Sequence, residues 1–124
     1  MANRNKQAGS KFELDIIHKL KEMGYDAVSA RYASRMMDDK GIDIISESFP
    51  LQIQAKASIN QPNCHSILTE KECDVIFFRK MEKQNTRFYS KGEYAMLKLD
   101  DLLNLITKKD EQTNTTSNKP DEKA

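Results

Sequence analysis

Three polar side chains sit where two apolar segments would carry only core residues. Asp43 interrupts "GIDII" (41–45), and Gln54 and Lys56 alternate with apolar residues in "LQIQAKA" (51–57). Side chains of a strand point alternately to its two faces. Leu51, Ile53, Ala55 and Ala57 therefore share one side, and Gln52, Gln54 and Lys56 the other. Gln54 and Lys56 are then about 7 Å apart along the strand. An even-length loop between the segments, centred for example on Ser48-Phe49 or Phe49-Pro50, brings Asp43 onto the polar face, across from Gln54 or Lys56. An odd loop sends it to the opposite face. An acid, an amide oxygen and an amine gathered this way suit phosphodiester hydrolysis. Asp43 supplies oxygen ligands of the kind Mg²⁺ prefers, and Gln54 adds a neutral amide oxygen. Lys56 stabilises charge that builds on a phosphate, or orients the attacking water. A metal held there polarises the phosphate and lowers the pKa of its water.

Glu13 comes from a different element. Phe12, Ile16, Ile17, Leu20 and Met23 recur at helical spacing, which predicts a helix over residues 11–23 that stops at Gly24. Ser10 and Glu13 have the spacing of a capping box. Glu13 also lies in line with Ile17 and Leu20, beside the apolar stripe, where a carboxylate is costly unless something binds it. Both roles stay open for Glu13 at this point.

The elements that must position these groups follow from pattern. Strands are expected at 25–30, 42–47, 51–57, 73–81 and 93–99. Loops are expected at 31–41, 58–63 and 82–87, a short helix at 64–71 and a longer one at 100–109. The longer helix has acids in its first turn and lysines in its last, matching the helix dipole. The fold class is α/β, with helices packed on a mixed sheet. Residues 1–8 read as a basic flexible arm and residues 9–109 as the α/β domain. Residues 110–124 read as a disordered tail, because they hold no apolar side chain except Ala124.

Composition narrows the classes of function. The chain has 124 residues, with 20 basic and 19 acidic side chains, so it is not a basic coat for nucleic acid. Local basic patches remain: Arg4, Lys6 and Lys11 at an acid-free start, and Arg31, Arg35 and Lys40 in the segment leading to Asp43. If both sets flank one cleft they form a phosphate-binding rim. Cys64 and Cys73, with His18 and His65, match neither a disulfide framework nor a zinc pattern. No apolar run is long enough for a bilayer, and "MANRNKQAGSK" lacks the apolar segment of a signal peptide. The expectation is a cytoplasmic protein without a membrane partner.

Taken together, "GSKFE" (9–13), "RYAS" (31–34), "GID" (41–43) and "QAK" (54–56) resemble the PD-(D/E)XK nuclease superfamily. They are most similar to its archaeal-type and phage Holliday junction resolvases. The resemblance covers roughly residues 9–80. It implies a restriction-endonuclease-like mixed central sheet flanked by helices. It also implies that Glu13, Asp43 and Gln54, with the Ala55 carbonyl, bind Mg²⁺, for which Mn²⁺ can substitute. Lys56 would be the catalytic lysine, with Ser34 and Arg31 acting near the scissile phosphate. The partner would be branched DNA, a four-way junction nicked by a homodimer. The chain departs from the family at Gln54, where an acid is usual. Gln-x-Lys occurs in restriction nucleases of the Mrr type, so a duplex endonuclease is the alternative; against it, no separate target-recognition domain is expected within these 124 residues. A non-catalytic DNA-binding module with the same fold is a third reading.

Overall fold

A computed structural model describes the backbone of residues 4–117, and within it the side chains of residues 9–31 and 33–108. The first element is α1, Arg4–Glu22. Its stripe of Phe12, Ile16, Ile17 and Leu20 is buried. The helix starts earlier than predicted, so residues 4–8 are its first turns rather than a flexible arm; residues 1–3 lie outside the described part. Lys6, Gln7 and Ala8 are good helix formers, and the lone Gly9 does not stop propagation. Ser10 is therefore inside the helix, and the capping-box reading of Ser10 and Glu13 falls away.

The chain continues through β1 (Val28–Ser29), α2 (Ala30–Ala33), α3 (Arg35–Asp39), β2 (Ile44–Ile45) and β3 (Ile53–Ser58). It then forms α4 (Cys64–Glu70), β4 (Val75–Gln84), β5 (Arg87–Leu97) and α5 (Leu99–Ser117). The five strands make one sheet in the order β1-β2-β3-β4-β5. β3 and β4 run parallel and the other neighbours antiparallel. A parallel pair needs a crossover, and α4 supplies it. The protein is thus a mixed α/β structure.

Several elements differ from expectation for identifiable reasons. The 31–41 segment is not a loop but two helical turns, because the Ser34 hydroxyl caps α3 by accepting from the Met37 N–H (3.3 Å). β1 is shorter than 25–30 because Asp26 is drawn into a turn, its carboxylate accepting from the N–H groups of Glu47 and Ser48, both at 2.8 Å. The 82–87 stretch is strand almost throughout. β4 and β5 form a long hairpin whose tight turn has Asn85 in the left-handed region (φ 57°). Glu82 and Lys91 pair across it at 3.3 Å. α5 runs on to Ser117, past the predicted boundary at 110, since no Gly or Pro interrupts the chain before Pro120. Polar composition alone does not break a helix once nucleated. The remainder of the expected tail, residues 118–124, lies outside the described part.

The sheet is covered on both faces. On one face α1 packs Phe12, Ile16, Ile17 and Leu20 against Ile44, Ile53, Ala55 and Val75. On the other, Ile42, Cys73 and Ile76 meet Leu68 of α4, with Met37, Ile67 and Met96 around them. β3 alternates as predicted: Ile53 and Ala55 face α1, and Gln54 pairs in register with Ile76 on the opposite face. A one-residue slip would exchange the fully buried Ile53 for Gln54. Losing that burial costs about 1.5–3 kcal/mol, before the cost of burying the amide, so the register of the polar residues is fixed by their apolar neighbours. Among the described residues no helix is long and apolar enough to cross a membrane.

Candidate active site

Asp43 leaves α3 through Gly41, whose φ of 85° suits glycine alone and whose missing side chain leaves room for Lys71. It is then fastened to β3. Its N–H donates to the Ile53 carbonyl (2.8 Å), and its carboxylate accepts from the Ala55 N–H (2.9 Å). Its own carbonyl accepts from the Ala30 N–H (2.8 Å). Asp43 therefore brackets Gln54, holding the residue before it and the residue after. The pairing of Ile44 with Ile53 agrees, because one step along it sets Asp43 across from Gln54. This is the even-loop arrangement centred on Ser48-Phe49. Burial raises the pKa of Asp43 above the ordinary carboxylate value; the Ala55 N–H opposes that rise and the nearby Asp38 adds to it.

Glu13 reaches the same place from α1. It is 7% exposed, and its carboxylate pairs with the Arg31 guanidinium at 3.1 Å. Arg31 is steadied from the other side by donating to the Ser10 hydroxyl (2.9 Å). One arginine does not offset the rest of the surroundings. Burial first, and then repulsion from Asp43, raise the Glu13 pKa from 4.5 to about 7. Gln54 is 8% exposed, and its side-chain oxygen is buried without a hydrogen-bond donor. Leaving such an acceptor unmet costs about 1–3 kcal/mol, so it marks a position built for something else.

Glu13, Arg31, Asp43, Ala55 and Lys56 line one open cleft of about 750 Å³, which Ala57, Ser58, Asn60, Gln61 and Asn63 also line. Lys56 is exposed, and Gln54 is buried and does not line the cleft. The other sequence-predicted residues go elsewhere. Ser34 spends its hydroxyl on the α3 cap. Lys11 pairs with Asp15 at 3.9 Å and Lys40 with Glu72 at 3.7 Å. Arg35 is exposed. None of these four lines the cleft. The side chains of Arg4 and Lys6 lie outside the described part. Ser10 and the loop residues Asn60, Gln61 and Asn63 were not anticipated. The polar run "SINQPN" was their only signal, and Ser10 was hidden by its apparent fit to a cap.

No family model, curated protein or solved structure matches this chain. What the cleft can do rests on its own donors. Among the described residues no three His, Cys, Asp or Glu side chains gather into a metal-holding group. The oxygen donors near the cleft are instead two carboxylates and a neutral amide. Two acids that resist ionising together, beside an amide oxygen with no donor, form the kind of set a hard divalent cation satisfies.

Proposed function

We propose that the protein is a Mg²⁺-dependent endonuclease that hydrolyses phosphodiester bonds in branched DNA, acting on four-way junctions in the manner of a Holliday junction resolvase. In this reading its fold is the restriction-endonuclease-like one. The observation that carries the proposal is the meeting of Glu13, Arg31, Asp43 and Lys56 in one cleft, from elements far apart in sequence. Glu13, Asp43 and Gln54, with the Ala55 carbonyl, would hold the cation. When bound, Mg²⁺ polarises the phosphate and acidifies its water, and Mn²⁺ can take its place. Lys56, exposed at the cleft, places its ammonium against the charge that develops on the phosphate. Arg31, oriented by Ser10 and Glu13, offers a planar fork to phosphate oxygens. Ser34 serves this site through the backbone, by starting α3 and so setting the path from Arg31 to Asp43. The protein works as a cytoplasmic homodimer, and Leu99, Leu102, Leu103 and Ile106, all exposed on α5, are the surface for the second copy.

Gln54 favours a second reading. An uncharged residue at this position matches a duplex endonuclease of the restriction type, or a DNA-binding module without catalysis. A cleavage assay with Mg²⁺, repeated with Mn²⁺, separates the three. Cutting of a synthetic four-way junction but not of linear duplex supports resolution. Duplex cutting supports the restriction-type reading. Binding with no cutting under either cation leaves only the module.

A further inference from the structure

The face of the sheet that carries Lys56 does not end at the cleft. Register sets Lys56 of β3 beside Phe78 of β4, and Phe78 beside Tyr94 of β5. Phe78 is 3% exposed and Tyr94 57% exposed, and their rings lie 6.4 Å apart at an interplanar angle of 30°. Gly92 explains the posture of Tyr94. A Cβ at Gly92 would fall 2.6 Å from the Tyr94 hydroxyl oxygen and 3.0–3.1 Å from two ring carbons. The phenol ring thus lies down along its own strand, over the residue with no side chain, rather than standing off the sheet.

Beside it opens a second hollow of about 450 Å³, lined by Gln61, Phe78, Lys80, Tyr94 and Met96. Gln61 also lines the catalytic cleft, so the two hollows share a wall. The Lys80 ammonium donates to the Ile59 carbonyl and so anchors the loop that forms this wall. Lys56 and Tyr94 are two strands apart, about 10 Å. A lysine facing the cleft, followed by an exposed aromatic ring laid flat, is the combination that holds single-stranded nucleic acid.

We propose that Tyr94, seated on Gly92 and backed by Phe78, is a stacking platform for an unpaired nucleobase of the strand whose phosphate occupies the Glu13–Asp43–Lys56 cleft. The proposal rests on the nuclease reading above and deepens it. A base is free to stack only where the duplex is open, at a branch point or a single-stranded flap. The platform therefore gives selectivity for DNA shape without reading base edges. It uses the π-face alone, so neither the tyrosine hydroxyl nor the identity of the base matters.

The test uses the full chain in Ca²⁺ buffer, which keeps DNA uncut. The probes are a flapped duplex with 2-aminopurine at the first unpaired position and a fully paired duplex of the same length. Stacking of the probe base quenches its fluorescence. Wild type and Tyr94→Phe are expected to quench equally. Tyr94→Ala loses the quench and binds the flapped DNA roughly tenfold more weakly, with duplex affinity unchanged and the folded circular-dichroism spectrum retained. A full quench in Tyr94→Ala, or an equal loss of affinity for both probes, overturns the platform and leaves the nuclease reading standing. No binding of either probe by wild type overturns both.

Discussion

Helix α1 carries two acids two residues apart, and each meets an arginine, but the two meetings are opposite in character. Asp15 joins a closed network: Arg79 lies between Asp15 (2.8 Å) and Glu93 (2.6 Å), over the Phe12 ring at 4.6 Å, and Lys19 adds a contact to Glu93 at 3.3 Å. Lys11 also pairs with Asp15, so each acid there has two cations, and the hydrogen bond from Arg79 holds Glu93 below its usual pKa. Glu13 has Arg31 alone as its ion-pair partner; its own burial and the nearby Asp43 push its pKa up to about 7. The first cluster fastens α1 to β4 and β5. The second is short of positive charge in a cleft open to solvent. A fold tolerates such a deficit where a ligand makes it good, so the same pairing of residue types serves structure in one place and, in the reading proposed above, chemistry in the other.

The contrast breaks most sharply at the cleft. Lys56→Ala and Asp43→Asn are each expected to lower junction cleavage by about a thousandfold, while a gel-shift assay shows junction binding largely retained. Full activity in either variant removes that residue from the mechanism. Arg79→Ala should do the reverse, leaving cleavage per folded molecule intact and lowering stability in a urea titration. Breaking a fully buried pair costs about 3–5 kcal/mol. Because the two carboxylates here are about one-third exposed, solvent screening brings the expected loss to roughly 2 kcal/mol.

Glu13 gives a pH signature that the Asp15 cluster lacks. Its folded pKa is about 7 against 4.5 unfolded, so the unfolded chain releases this proton first. Stability from this group is complete below pH 4.5, falls as pH rises towards 7 and is level above that. Glu13→Gln should remove this segment of the fall, on the order of 3 kcal/mol. Thermal melts from pH 4 to pH 8 in EDTA check it, and parallel curves for variant and wild type would contradict the assigned environment. The smallest effect is expected at Gln54. Gln54→Glu adds a third acid to the charge-poor cluster and costs about 1 kcal/mol in metal-free buffer. Mn²⁺ should restore the loss, and calorimetry should show tighter Mn²⁺ binding than in wild type. A loss that Mn²⁺ leaves unchanged would mean Gln54 does not face the cation.

Much of this arrangement is legible in the order of residues. Alternation in "LQIQAKA" sets which faces Ile53 and Gln54 take, since burying isoleucine outweighs any local preference. The same alternation, with an even loop, places Asp43 correctly. The stripe of α1 sets Glu13 at the edge of the core. What escapes is contact between distant polar groups. Nothing near Ser10 in sequence signals that its partner is Arg31, and nothing near Lys40 names Glu72. Basic residues counted as a rim were thus partly committed to ion pairs. Short elements escape too: α3 depends on one serine cap, α2 has no side-chain cap at all, and the β4–β5 hairpin rests on cross-strand pairs that window periodicity does not register.

Asp43 holds β3 by two backbone groups that flank Gln54, and this ties the timing of chemistry to the timing of assembly. Until the second and third strands are paired, the carboxylate has no fixed position, and Glu13 has no neighbour to repel it. If the cleft is the nuclease site proposed above, a chain caught part-way through refolding is catalytically silent, however compact it is. Recovery of cutting after dilution from urea should follow the signal of strand pairing rather than that of helix formation.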